Sequence, residues 1–136
     1  MTDTLVVDWE LEHVAGLGLL ESGEVICEAQ EAWKKTGWGR GRLGAIVVTD
    51  LRILFVSTTG FRRRSRIDAF PLTDIVAVET ADSMWDDRGA IRVHVDVGGH
   101  RTSVMFERIP GGRARAEEVV RSIERQRSYL HKPGHP

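Results

Sequence analysis

Lysine and arginine residues are concentrated in one stretch of this chain. Residues 34–66 hold nine basic side chains and one acidic one, Asp50. Eight of the nine lie in two segments that also contain glycine and hydroxyl residues, 34–42 and 58–66. Arginine forks and the backbone N–H groups that glycine leaves accessible are typical ligands of phosphate groups. The pattern therefore predicts a binding site for an anion.

Both basic segments also contain an aromatic side chain, which suits contact with a lipid headgroup region. A basic residue close to an anionic leaflet contributes about 1 kcal/mol to membrane binding. The candidate anion- or lipid-binding residues are Lys34, Lys35, Trp38, Arg40, Arg42, Phe61, Arg62, Arg63 and Arg64. Two alternatives stay open: the segments are only solvated surface, or they contact another anion. Nucleic acid is disfavoured because the formal net charge of the whole chain is −1.

Catalytic and metal-binding patterns find little support in the sequence. The five histidines lack metal-ligand spacing, and Ser57 and Ser83 have no visible partners for nucleophilic chemistry. The glycines of 37–41 resemble a phosphate loop only weakly, since no helix pattern follows them. We therefore expect a protein that is not an enzyme and that holds no metal and no cofactor.

The elements that carry the basic segments have a two-residue hydrophobic period. Residues 43–57 predict two strands that meet near Thr49 and Asp50, and both strands are apolar on both faces. Something must cover the second face. The candidates are an N-terminal helix, a C-terminal helix or a second subunit. Segment 34–42 itself, with glycine at three of nine positions, is predicted to be a flexible loop.

The rest of the chain extends this pattern to seven strands and a long helix. Alternation is clearest over 91–97, and a helical stripe begins after Gly112. The chain divides into an N-terminal helical extension (1–22), one domain (23–130) and a mobile tail (131–136).

Residues 1–33 carry eight acidic and no basic side chains. This acidic segment either covers the second strand face with its apolar stripe or docks against the basic segments.

Two short motifs carry a resemblance to a known family. Thr49-Asp50-Leu51-Arg52-Ile53-Leu54-Phe55 and Phe70-Pro71-Leu72-Thr73-Asp74-Ile75 resemble strand signatures of bacterial pleckstrin-homology-like (PH-like) domains and of the related GRAM domains. The resemblance implies a mainly β fold: a seven-stranded antiparallel sandwich or barrel capped by a C-terminal α-helix. Eukaryotic relatives often bind phosphoinositides through a lysine followed by basic-x-arginine, and Lys34 with Arg40-x-Arg42 has that spacing.

The function expected from residues and resemblance together is a non-enzymatic binding module. It recognises anionic phospholipid headgroups at a membrane surface, or it is a protein-interaction scaffold, for example a homodimer, without a lipid ligand. Cys27 is the only cysteine and no apolar run is long enough to span a bilayer, so we expect a cytoplasmic protein, peripheral at the inner membrane face if it binds lipid.

Overall fold

A computed structural model describes residues 20–37, 39–59, 64–82 and 88–130. Nearly all of the predicted N-terminal helix and the whole predicted tail lie outside the described residues. The elements are β1 (Ile26–Gly37), β2 (Arg40–Thr49), β3 (Arg52–Thr59), β4 (Arg64–Pro71), a 3₁₀ turn (Leu72–Asp74), β5 (Ile75–Ala81), β6 (Arg88–Val97), β7 (His100–Pro110) and α1 (Gly112–Leu130).

The described strands form one antiparallel sheet in the order β4-β3-β2-β1-β7-β6-β5. β1 joins the two halves of the sheet: it pairs with β2 along most of its length and with β7 through Trp33 and Lys34. The predicted fold class, seven antiparallel strands followed by a C-terminal helix, is confirmed.

Alternation along the strands places one apolar face of each half on a common core. Ile46 and Phe55 from the first half and Ile91 and Phe106 from the second belong to the same buried cluster. The rings of Phe55 and Phe106 lie 5.4 Å apart, centroid to centroid. Burying a side chain of this size stabilises a fold by roughly 1.5–3 kcal/mol. The sheet therefore curves around a single core.

Helix α1 packs onto the same core. Its stripe of Ala116, Val119 and Ile123 is fully buried there, as the helical period of the sequence predicts. Arg115 ties the helix to β1, because its guanidinium donates hydrogen bonds to Gln30 Oε1 at 2.5 Å and to Glu28 Oε1 at 2.6 Å. The helix thus covers the inner side of the sheet.

A second, smaller apolar cluster lies on the opposite face of β2 and β3. Val47, Leu54 and Val56 are at most 1% exposed, although they point away from the main core. The expectation that both faces of these strands are covered is confirmed. We call these three residues the outer-face cluster.

The prediction of a flexible loop over 34–42 is wrong. β1 and β2 pair through Lys34 with Arg42 and continue to Gly37 with Arg40, which leaves only a tight turn. Gly41 serves close packing: a Cβ at this position would lie 2.4 Å from Cε2 of Trp33. The absence of a side chain at Gly41 therefore leaves room for the indole ring of Trp33 against the strand.

Candidate anion-binding site

Strand pairing places the two basic hairpins at the same end of the sheet. The β1–β2 hairpin closes at Gly37 and Arg40, and the β3–β4 hairpin closes at Thr59 and Arg64. Because β2 and β3 are antiparallel neighbours, both turns point in the same direction. We call the strand ends next to these turns, residues 34–42 and 59–68, the basic end.

Asp68, which no sequence motif marks, organises this end. Asp68 on β4 accepts hydrogen bonds at Oδ2 from Lys34 Nζ at 2.8 Å and from Arg42 Nη2 at 2.6 Å. Arg66 Nε lies 4.0 Å from Asp68 Oδ1. Lys34 and Arg42 reach the same carboxylate because they are directly opposed across β1 and β2. We call these four residues the Asp68 cluster.

The cluster lies at the edge of the hydrophobic core. The side chains of Lys34, Arg42 and Asp68 are only 14–20% exposed, whereas that of Arg66 is 66% exposed. Lys34 Nζ is 5.6 Å from the centroid of the Phe70 ring, which packs against core aromatics. This partial burial strengthens the electrostatic interactions relative to those on an open surface.

Asp68 is held in its ionised form. Burial acts to raise the pKa of its carboxyl, but the hydrogen bonds and charges of Lys34 and Arg42 outweigh burial and leave the pKa below its usual range. One negative charge is therefore shared among three nearby cations, and the cluster keeps a positive excess.

Arg42 also keeps hydrogen-bond donors that Asp68 does not use. Its Nε and Nη1 atoms are buried and have no partner among the residues that the structure describes. A buried unsatisfied donor costs about 1–3 kcal/mol, and more if it is charged.

The remaining predicted site residues lie around this cluster to different extents. Lys35 and Arg40 are exposed at the end of the β1–β2 hairpin. Arg64 begins β4, and the structure describes only its backbone. Trp38, Phe61, Arg62 and Arg63 lie outside the described residues. The structure thus joins Lys34 with Arg42 through Asp68 and leaves the contacts of the two turn tips undescribed.

The opposite end of β2 and β3 holds a second ionic cluster with a different balance. Arg52 donates hydrogen bonds to Glu24, from Nε to Oε2 at 3.0 Å and from Nη2 to Oε1 at 2.9 Å, and Thr49 Oγ1 also bonds Glu24 Oε2. The Glu24 side chain is completely buried. We call Glu24, Thr49 and Arg52 the Glu24 cluster. Thr49 and Arg52, which carry the family resemblance, thus hold the chain in place before β1.

The pKa of Glu24 follows the same physical rule. Burial acts to raise it, but the hydrogen bonds from Arg52 and Thr49 lower it by more, so that the carboxyl is a stronger acid than usual. Its acceptors are saturated by partners on its own chain. This cluster has a structural role and offers nothing to a ligand.

His94 lies on the exposed side of the β5–β6–β7 half. Its Nδ1 is 2.8 Å from Ser103 Oγ and its Nε2 is 3.3 Å from Glu79 Oε1. Ser103 is opposite His94 in the register of β6 and β7, so this row is an ordinary cross-strand contact on a sheet surface. Within residues 20–37, 39–59, 64–82 and 88–130, no group of three metal-ligating side chains comes together.

Comparison with known proteins adds information at the level of the fold. No protein-family model and no curated protein matches the chain. Among solved structures, the hSac2 domain of the human phosphoinositide phosphatase Sac2 superposes with a TM-score of 0.66 at 9% identity, over 88% of this chain and 84% of that one.

Two structures described as PH domains are similar as well. The N-terminal PH domain of Vps36 gives a TM-score of 0.57 at 15% identity, over 83% of this chain and 86% of that one. The PH domain from Shewanella amazonensis gives 0.50 at 18% identity, over 85% and 96%. The fold is PH-like. Identities this low show the PH-like fold alone, and the resemblance to GRAM and bacterial branches stays a prediction.

Proposed function

We propose that this PH-like protein is a non-enzymatic binding module that recognises anionic phospholipid headgroups through its basic end. The observation that carries the proposal is the excess of cations there. Among the described residues of this end, six basic residues accompany a single acidic residue, Asp68. The basic residues are Lys34, Lys35, Arg40, Arg42, Arg64 and Arg66.

Among the described residues, the opposite end of β2 and β3 has no comparable excess of cations. At the β2–β3 turn, Glu21, Glu24 and Asp50 accompany Arg52 among the described residues. The chain is therefore electrically polar from one end of these strands to the other, although its net charge is close to zero. Such a field orients a molecule toward an anionic surface.

Asp68 supplies a mechanism for ligand exchange. A headgroup phosphate presents several oxygens to Lys34 and Arg42, whereas Asp68 satisfies them with one shared oxygen. In the free protein the carboxylate keeps the two cations ordered and partly desolvated. A phosphate approaching from the hairpin side replaces or joins it and recruits the unused donors of Arg42.

The turn tips complete the proposed surface. Trp38 follows Gly37 directly, and Phe61 to Arg63 lie between the paired residues Thr59 and Arg64. We assign the two aromatic side chains to insertion at headgroup depth and the arginines to contact with phosphate. With such a surface, the protein would sit peripherally on the anionic inner face of the membrane.

Membrane contact through this surface needs no membrane-crossing segment. In the part of the chain that the structure describes, no helix is both long and apolar enough to cross a bilayer. The proposed contact is instead electrostatic, with shallow insertion of the two aromatics.

Co-sedimentation with vesicles tests this function. We expect binding to phosphatidylcholine vesicles that contain phosphatidylserine or phosphoinositides, little binding to phosphatidylcholine alone, and weakening at high salt. Reversing the exposed pair with Lys35→Glu and Arg40→Glu makes the net charge more negative by four and should lower affinity by at least tenfold. Equal pelleting with neutral and acidic vesicles would reject the function.

A matched control uses two arginines on the exposed side of α1. Arg121→Glu with Arg125→Glu changes the net charge equally but lies outside the basic end. We expect it to alter vesicle affinity by less than threefold. If both double variants weaken binding equally, net charge and not the basic end controls the association.

Protein interaction without a lipid ligand is the second candidate function. It is favoured by large apolar side chains that remain exposed on the described strands, such as Leu43 at 59% and Val97 at 60%. Light scattering at high micromolar concentration tests self-association. A strict monomer that binds acidic vesicles would leave the lipid function as the account of this protein.

A further inference from the structure

The outer-face cluster is buried in a way that requires a cover from the same chain. Val47 and Val56 are 0% exposed and Leu54 is 1% exposed, yet all three point away from the main core. Side chains on an uncovered sheet face keep part of their surface in water. Since a single chain achieves this burial, no second subunit is needed to explain it.

Three described hydrophobic residues contribute to the cover. Those that pack against the outer-face cluster are Leu20, Ile26 and Ile67, and each is itself only partly buried. The C-terminal helix is excluded as the cover, because the buried stripe of α1 belongs to the main core on the other face. Of the three covers considered from the sequence, the N-terminal segment remains.

The path of the chain leads the N-terminal segment onto this face. Arg52 and Thr49 hold Glu24, and Val25 pairs with Asp50 through backbone and side chain at 3.0–3.1 Å. Leu20 therefore enters the cluster from a fixed anchor. Nineteen residues precede it, which as a helix would span about 28 Å. The buried part of this strand face, from Thr49 to Ala45, is about 13 Å long.

We propose that residues 1–19 form an amphipathic segment whose apolar stripe packs onto the outer-face cluster. The stripe consists of Leu5, Trp9 and Leu17. The segment contains four acidic side chains and no lysine or arginine, and strand alternation puts Lys35 of the basic end on the same outer face. Apolar contact and opposite charge therefore favour the same placement, independently of any lipid function.

A double-mutant cycle in the full-length protein tests the contact. Leu54→Ala, at the centre of the cluster, should lower the folding equilibrium constant by roughly 100-fold when the segment is in place. The triple variant Leu5→Asp, Trp9→Asp and Leu17→Asp detaches the segment. In that background we expect Leu54→Ala to cost less than about tenfold, because the site is already open to water.

The adjacent residue on β3 provides a matched control. Ile53 faces the main core, so Ile53→Val should cost about fivefold in both backgrounds. If the triple variant does not fold cooperatively, Trp9→Ala gives the same cycle with a coupling of about fivefold. Glu10→Ala, off the stripe, should give no coupling.

Two outcomes would overturn the proposal. An equal cost of Leu54→Ala with and without the intact stripe means that residues 1–19 do not touch the cluster. A cost that changes with protein concentration, accompanied by a dimer in sedimentation equilibrium, means that a second copy covers this face in solution.

Discussion

The two ionic clusters, which lie on β1–β4 and on the residues just before β1, use the same residue types for different purposes. In the Glu24 cluster one buried carboxylate is matched by one guanidinium and a hydroxyl, and its acceptors are filled. In the Asp68 cluster one carboxylate serves two close cations and a third at 4.0 Å, and Arg42 keeps unused donors. A carboxylate that is matched by one cation stabilises the fold, whereas a carboxylate that is outnumbered by cations leaves positive charge that can bind an anion.

The largest expected effect lies at the matched cluster. Glu24→Ala leaves Arg52 and Thr49 without the carboxylate that they bind, and it releases the chain before β1. We expect the free energy of unfolding, measured by urea denaturation, to fall by about 3 kcal/mol. Glu117→Ala, at an exposed pair on α1, should change it by less than about 0.5 kcal/mol. Equal losses in both variants would refute a structural lock at Glu24.

Acid pH should lower the free energy of unfolding, because it protonates the carboxylates of both clusters. Glu24 and Asp68 have pKa values below their unfolded values of about 4.3 and 3.9, so the unfolded chain binds more protons in this range. The stabilisation that these two carboxylates contribute is therefore fully present above those unfolded pKa values, and it is lost as the pH falls through the folded pKa values. Glu24→Gln should be less stable at pH 7 and lose less between about pH 5 and 2. Parallel pH curves for Glu24→Gln and the wild type would contradict this origin.

Removal of the Asp68 carboxylate should strengthen binding to an anionic surface while it weakens the fold. Asp68→Asn removes the carboxylate that Lys34 and Arg42 share and so raises the net charge of the basic end by one. We expect affinity for acidic vesicles to rise about fivefold, corresponding to roughly 1 kcal/mol. Unfolding free energy should fall by about 1 kcal/mol as the ion pairs are lost. Weaker binding to acidic vesicles would show that Asp68 belongs to the site as an essential organiser and not as a competitor.

The smallest effect on stability is expected at Arg66. Its side chain is largely exposed and only 4.0 Å from Asp68, so Arg66→Gln should change the free energy of unfolding by less than about 0.5 kcal/mol. Vesicle binding should nevertheless weaken measurably. A stability loss near that of Glu24→Ala would remove the distinction between the two clusters.

Much of the fold could be predicted because its signals are local. The strict alternation of 91–97 and the helical stripe after Gly112 correspond to β6 and α1. The two apolar faces of 43–57 predicted a covered outer side. The loop prediction for 34–42 fails because its glycines favour a loop by composition, whereas Gly41 accommodates the ring of Trp33 within a strand.

The ionic clusters could not be predicted, because their members are distant in sequence. Asp68 lies 34 residues after Lys34 and just beyond the basic stretch 34–66. One sequence feature does point to Asp68: it shares one face of a strand with Arg66 and Phe70, next to two basic hairpins. The family resemblance includes Thr49 and Arg52 but does not indicate which residue they bind. Glu24 contacts them only in the folded chain, since it lies more than 20 residues before them.

The most direct test of the central claim is a ¹⁵N NMR titration of the full-length protein with a soluble anionic headgroup, inositol 1,4,5-trisphosphate. Our account predicts saturable amide shifts confined to residues 34–42 and 59–68, and no shifts at 21–25 or 49–52. Shifts centred on the Glu24 cluster, or none at the basic end while acidic vesicles are still bound, would contradict it.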